Sequence, residues 1–531
     1  MALLGKYFPD ERREWWGRIG AYIHRLSFLW IVISASSLLG PELMSYVFNT
    51  QWRSAGIAAT GGWIALVGST VKAAFNYRTS GNENGKSFLS MFLNFLGLAG
   101  PYLFALGLLV ILPGFLIPLR SFEIDLFKDL NLPVPDVKIL ILYLMLVTAL
   151  AAYLLAKQVG VNEFSMHHFY RNRLIRAFLG ATRRSTERQR TANPFTGFDM
   201  LDDERLSKMT NEYGYYGPYP VLNAALNASQ EIELDRQDRK AESFIFSPLY
   251  CGFDFSMIKA SANVKSKPYD YAYRETKNYA YKNSGPTIGT AMAISGAAIN
   301  PNQGYHSSAA TAFLLTIFNV QMGWWIGNPR KSTWKYSDPR FGLGYIMNNL
   351  IGKTSTRNKF VALSDGGHFD NMGLYEMVRR KCTLIVLCDA EQDDKFTCEG
   401  LANAIRRCRI DFGAEISIDI SKITNRAERR ISAAQYAFGE ISYAGDKSPS
   451  GKLLYIKASI SGNEPVDVHE YAAKNTTFPH QTTADQFFDE EQFESYRKLG
   501  LFIVEKLFED FIVIKALKST LLSRFFVQQE S

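Results

Sequence analysis

Two different patterns of apolar residues divide the chain. Toward the N-terminus the apolar positions form long uncharged runs: Leu26–Gly40, extending past Pro41 toward Phe48; Ala55–Val71; Ser87–Leu119, broken by Pro101, Pro113 and Pro118; and Ile139–Ala156. A hydrocarbon core of ~30 Å takes about 20 apolar residues in helical form. The pattern therefore predicts four membrane-spanning helices, the third kinked at Pro101. From Gln158 onward charged residues return, and short apolar runs alternate with amphipathic stretches. Strands are predicted at Val221–Leu226, Phe244–Phe246, Phe360–Leu363, Leu384–Cys388, Ile416–Ile420 and Leu453–Ile460, and helices at Ala309–Val320, Met372–Lys381 and Gly400–Cys408. Such mixing argues for an α/β layered domain. The expected division is a basic, aromatic segment at 1–25, a transmembrane region at 26–157, a basic juxtamembrane segment at 158–210 and an α/β domain at 211–531.

Charge placement adds an orientation. Lys6, Arg12, Arg13, Arg18 and Arg25 precede the first run, and Lys157, Arg171, Arg173, Arg176, Arg183, Arg184, Arg188 and Arg190 follow the fourth. Lysine and arginine mark cytoplasmic flanks, so both flanks are expected there. The loop Arg120–Lys138, with Glu123, Asp125, Asp129 and Asp136, is expected outside. The expected location is the inner membrane, multi-pass, with the α/β part cytoplasmic. Arg171–Arg190 reads as a basic juxtamembrane helix, and His167 and His168 as interfacial. The formal net charge of +8 suits a chain that meets anionic headgroups. Nucleic acid is not implied, because no recognition motif accompanies the charge. Cys251, Cys382, Cys388, Cys398 and Cys408 form neither CxxC pairs nor a ligand spacing. They read as reduced thiols, and no metal or cofactor is expected.

Candidate chemistry concentrates between Phe360 and Asp389, where Asp365, Gly366 and Gly367 separate two apolar strand-like runs. The glycines let the backbone turn sharply and approach a ligand closely, since glycine tolerates positive φ. Asp365 then stands at the carboxyl end of a strand, where ligands bind in α/β sheets. The plain alternative is a turn whose Asp bonds backbone N–H groups. A second candidate is Gly289–Asn300. There Ala293-Ile294-Ser295-Gly296-Ala297 keeps the spacing of a nucleophile elbow but has alanines where the strained turn needs glycines, so Ser295 is a fallback nucleophile. His306 and His368 are the histidines nearest these loops and could complete a triad. His368 with Asp370 supplies only two of the ligands a metal needs.

The Asp365-Gly366-Gly367 sequence resembles the Asp-Gly-Gly motif of patatin-like and cytosolic phospholipase A2-like acyl hydrolases. Further segments resemble a bacterial membrane branch of that family: YFPDERREWWGR, VNEFSMHHFYRNRLIRAFLGA, NPFTGFD, RKAESFIFSPLYCG, TAMAISGAAINPNQGYHSS, MGWWIGNPR and FPHQTTADQFFDEEQFESYR. The resemblance implies a patatin-like α/β domain, incomplete at its N-terminal end, that hydrolyses phospholipid esters by a Ser-Asp dyad with Asp365 as the acid/base. It implies that the segment around Ser295 lines the cleft after the nucleophile. The family's GGGxR oxyanion segment and G-x-S-x-G elbow do not occur in the 531 residues. The chain thus resembles the C-terminal portion of a family member, and the expectation is either a split or truncated gene or a separate polypeptide that carries both segments. The competing expectation is a catalytically silent membrane scaffold derived from the family.

Overall fold

The computed structural model of the protein describes Ile19 and residues 137–513, apart from 159, 164, 230–238, 255–271, 281–284, 305–311, 313–314, 317–319, 351–352, 425–430, 446–448 and 483–487. Two compact units result, Met1–Phe369 and Asp370–Ser531.

The first unit is built on a six-stranded sheet. Its strands are β1 (Leu222–Asn227), β2 (Ala241–Phe246), β3 (Tyr250–Phe253), β4 (Tyr273–Glu275), β5 (Trp324–Gly327) and β6 (Phe360–Asp365). They lie in the order β4-β3-β2-β1-β6-β5, and every neighbouring pair is antiparallel. Helices α1 (Val137–Gln158), α2 (His167–Leu174), α3 (Ser185–Thr191), α4 (Ile288–Ser295) and α5 (Leu343–Leu350) complete it. The core gathers Leu226, Phe244, Phe246, Phe253, Ile294, Val361 and Leu363. Burying each such side chain contributes about 1.5–3 kcal/mol, so the sheet is held by apolar contact against α4 as well as by its ladders. Helix α4 begins at Thr287, whose Oγ1 accepts the Thr290 N–H at 3.2 Å, as a hydroxyl N-cap should.

The second unit holds a four-stranded sheet of β7 (Leu384–Asp389), β8 (Glu415–Ile418), β9 (Tyr436–Ser442) and β10 (Gly451–Lys457), ordered β7-β10-β9-β8. Only β7 and β10 run parallel. Its helices are α6 (Leu374–Arg379), α7 (Glu399–Phe412), α8 (Ser421–Thr424), α9 (Val466–Lys474) and α10 (Glu490–Val513). In α10, Leu499, Ile503 and Leu507 recur every fourth residue and pack with Leu454, Ile456, Val468 and Tyr471, the single apolar stripe of a surface helix.

The structure departs from four expectations. The expected four-helix transmembrane region is not found: among the described residues no helix is long and apolar enough to cross a membrane. The fourth predicted span does form a helix, α1, whose uncharged stretch 139–156 lies between Lys138 and Lys157. The other three predicted spans, and the segment 1–25 apart from Ile19, lie outside the described residues. The α/β layering is corrected to mixed α and β structure with largely antiparallel sheets, because the strands flanking the Asp365 loop, β6 and β7, belong to different sheets. Finally, the basic stretch Arg171–Arg190 is not one solvated helix. It breaks into α2, a π-turn, a 3-10 turn and α3, and acidic partners pair with some of its arginines. Arg171 pairs with Asp203 at 2.7 Å, Arg183 with Asp199 and Asp202 at 2.6 and 2.9 Å, and Arg188 with Asp202 at 3.2 Å. His167 is buried rather than interfacial, its Nδ1 2.8 Å from the Met322 carbonyl and its ring 4.4 Å from that of Trp324.

Candidate functional site

Strand β6 is buried along its length until Asp365, which is partly exposed at its carboxyl end. The Asp365 Oδ1 accepts the Gly367 N–H at 2.7 Å and opens the 3-10 turn Gly366–His368. One carboxylate oxygen is thereby fixed in direction. The glycines serve this turn differently from the expectation, for neither has a positive φ. At Gly366 a Cβ would lie 2.8 Å from the Asn223 carbonyl oxygen and 2.9 Å from its Oδ1, so the missing side chain lets the turn close against β1.

Behind the carboxylate lies a buried polar chain. Ser364 Oγ is 2.8 Å from His368 Nδ1 and accepts the Asn227 Nδ2–H at 2.9 Å, while Asn227 Oδ1 accepts the Gly304 N–H at 3.0 Å. Ser364, His368 and Asn227 are all buried. His368 thus faces Ser364 inside the fold, a placement that holds the Asp365 turn against β1 and the 300–304 loop. His306 lies outside the described residues.

The structure brings the Ser295 segment to the same place, since the Asp365 N–H donates to the Ala297 carbonyl at 3.3 Å. Ser295 is the last residue of α4, with Gly296 as the C-cap. A nucleophile elbow sets its serine at the start of a helix. Ser295 instead stands at the negative end of the helix dipole, which disfavours a developing alkoxide. Tyr170, from α2, completes the surroundings. A Cβ at Gly296 would lie 2.5 Å from the Tyr170 Oη. Burial raises the phenol's pKa above its ordinary value, and the negative charge of Asp365 raises it further.

Asp370 falls in the second unit. It is buried, accepts N–H bonds from Met372 at 3.2 Å and Tyr375 at 2.8 Å, and so caps the approach to α6. Burial pushes its pKa up, against the pull of those donors. Among the described residues no group of three or more His, Cys, Asp and Glu is arranged to hold a metal, and the five cysteines are free thiols.

Asp365, the two glycines and His368 are the site residues legible in sequence. Tyr170, Asn223 and Asn227 are not, because each reaches the site through pairing or packing across a long stretch of chain, and the part played by Ser364 shows only in its buried contacts with Asn227 and His368. The aromatic within HHFYRNRL carries no spacing that points to Asp365. Compared with known proteins, the chain matches no family model, no curated protein and no solved structure.

Proposed function

We propose that the chain takes part in the hydrolysis of lipid acyl esters, with membrane phospholipid as the substrate class and Asp365 as acid/base partner of a serine. The observation that carries this reading is the Asp365 carboxylate at a strand end, partly open to solvent, with Oδ1 held by the Gly367 N–H at 2.7 Å. A carboxylate so oriented can take the serine proton as the serine oxygen attacks the ester carbonyl, then return it to the leaving alcohol. Water repeats the cycle on the acyl intermediate. The Ser364, His368 and Asn227 chain keeps the turn in register and takes no proton in this scheme.

The nucleophile is assigned to a G-x-S-x-G segment, in cis or on an accompanying polypeptide, rather than to Ser295. The helix-terminal position of Ser295 is the reason. The test is to tag the chain at its own locus, purify it with whatever accompanies it, and follow fatty acid release from phosphatidylethanolamine vesicles. Release that is lost in Asp365→Asn supports the assignment. Fluorophosphonate labelling that disappears in Ser295→Ala would move the nucleophile to Ser295, and wild-type material that neither labels nor releases fatty acid supports the silent scaffold instead.

A further inference from the structure

The phenol of Tyr170 is an unspent donor. It makes no hydrogen bond among the described residues, although the ring is partly buried. Its hydroxyl stands over Gly296, where any side chain would collide with it: the Cβ of an alanine there would lie 2.5 Å from Oη. Gly296 is the C-cap of α4, and the next residue accepts the Asp365 N–H at 3.3 Å. Oη, the backbone at 296–297 and the Asp365 turn therefore share one neighbourhood, and the absent Cβ keeps the hydroxyl accessible there. A phenol with no protein acceptor can donate to a ligand in exchange for water. That ligand is not an anion in its resting state, since Asp365 already places a negative charge within reach. A neutral ester fits, because its carbonyl oxygen gains charge only while it reacts.

We propose that Tyr170 is a catalytic residue of this site, its phenolic O–H donating a hydrogen bond to the ester carbonyl oxygen as that oxygen becomes an oxyanion. The inference rests on the ester-hydrolysis reading and deepens it. As the serine oxygen bonds to the carbonyl carbon, the C=O π pair moves onto oxygen and the serine proton passes to Asp365. Collapse re-forms the C=O bond, expels the alcohol oxygen and gives it that proton. Tyr170 donates a hydrogen bond throughout and loses no proton, in keeping with a phenol held neutral by its surroundings.

Tyr170→Phe removes the hydroxyl and no hydrogen bond among the described residues, so folding should survive. In the tagged preparation kcat on phosphatidylethanolamine vesicles should fall about 100-fold or more, the scale of one oxyanion donor, with KM within about threefold. Inhibition by a long-chain trifluoromethyl ketone, which forms a tetrahedral oxyanion, should weaken in step with kcat/KM, a change that lost packing would not produce. Gly296→Ala, which crowds the hydroxyl, should lower kcat as well. If Asp365→Asn abolishes turnover while Tyr170→Phe keeps kcat and ketone affinity within about threefold, the Tyr170 assignment is overturned alone. Should Asp365→Asn also leave turnover unchanged, or the wild-type preparation prove inactive, the ester reading falls and this inference with it.

Discussion

Single atoms decide several positions in this protein, and glycine marks the tightest. Gly252 in β3 has φ +149°, and a Cβ there would lie 1.9 Å from the Ala272 carbonyl oxygen and 2.8 Å from the Tyr273 Cα. Those atoms are backbone of the β3–β4 ladder and cannot swing aside. Gly252→Ala is expected to destabilise the first unit by more than ~2 kcal/mol, read as a lower denaturation midpoint. An unchanged midpoint would show that the edge strand yields freely. Nothing around Gly252 in the sequence announces this constraint. At Gly366 the residue type was legible and its reason was not: a turn with positive φ was expected, and contact with Asn223 is what excludes a side chain. Local sequence reports which residue is small, while the neighbour that requires it is set by a pairing such as β1 with β6, whose contacting residues Asn227 and Ala362 are 135 positions apart.

Among the elements, β7 and β10 form the parallel pair whose carboxyl ends carry the most concentrated buried charge in the second unit. Lys457 is fully buried, with Nζ 3.0 Å from Asp389 Oδ1, and Tyr455 donates to Asp389 Oδ2 at 2.5 Å. Lys457→Met keeps the apolar stem but leaves Asp389 buried without its cation, a loss of about 3–5 kcal/mol measurable by urea denaturation. Pairing it with Asp389→Asn should recover part of that loss, and strict additivity would contradict the pairing. Asp393, beside them, adds a pH dependence. Burial works to raise its pKa, but N–H bonds from Cys398 at 2.8 Å and Thr397 at 2.9 Å, with the charge of Lys457, outweigh it and hold the carboxyl below its ordinary value. A depressed folded pKa gives stability that is complete above the unfolded value of ~3.9 and is lost as the pH falls through the folded one. Asp393→Asn should therefore flatten the acid limb of the stability profile, and an unaltered limb would contradict this. Six of the strands were legible, while β3, β4, β5 and β9 were not. Phe360–Leu363 and Leu384–Cys388 are β6 and β7 less one or two residues, because short apolar runs bounded by turns are a local signal. Their assignment to separate sheets depends on partners far along the chain.

For the molecule as a whole, the sequence suggested one α/β domain behind four membrane helices, and the structure has two compact units of mixed α and β structure. Hydropathy registered α1, while the other three predicted spans lie outside the described residues. Asp365 was legible because an acidic residue followed by two glycines between apolar runs is rare local punctuation. Tyr170 was not, because only the packing of α2 on α4 brings it there. The proposed proton transfer by Asp365 is probed by Asp365→Asn, which keeps the side chain's size while removing its basicity. In the tagged preparation, fatty acid release should fall at least ~100-fold with the unfolding midpoint unchanged, whereas Asp370→Asn, in the cap of α6, should change stability and leave turnover per folded molecule intact. Turnover within about threefold of wild type in Asp365→Asn, with a lowered midpoint, would make Asp365 a structural turn residue and exclude it as the proton carrier.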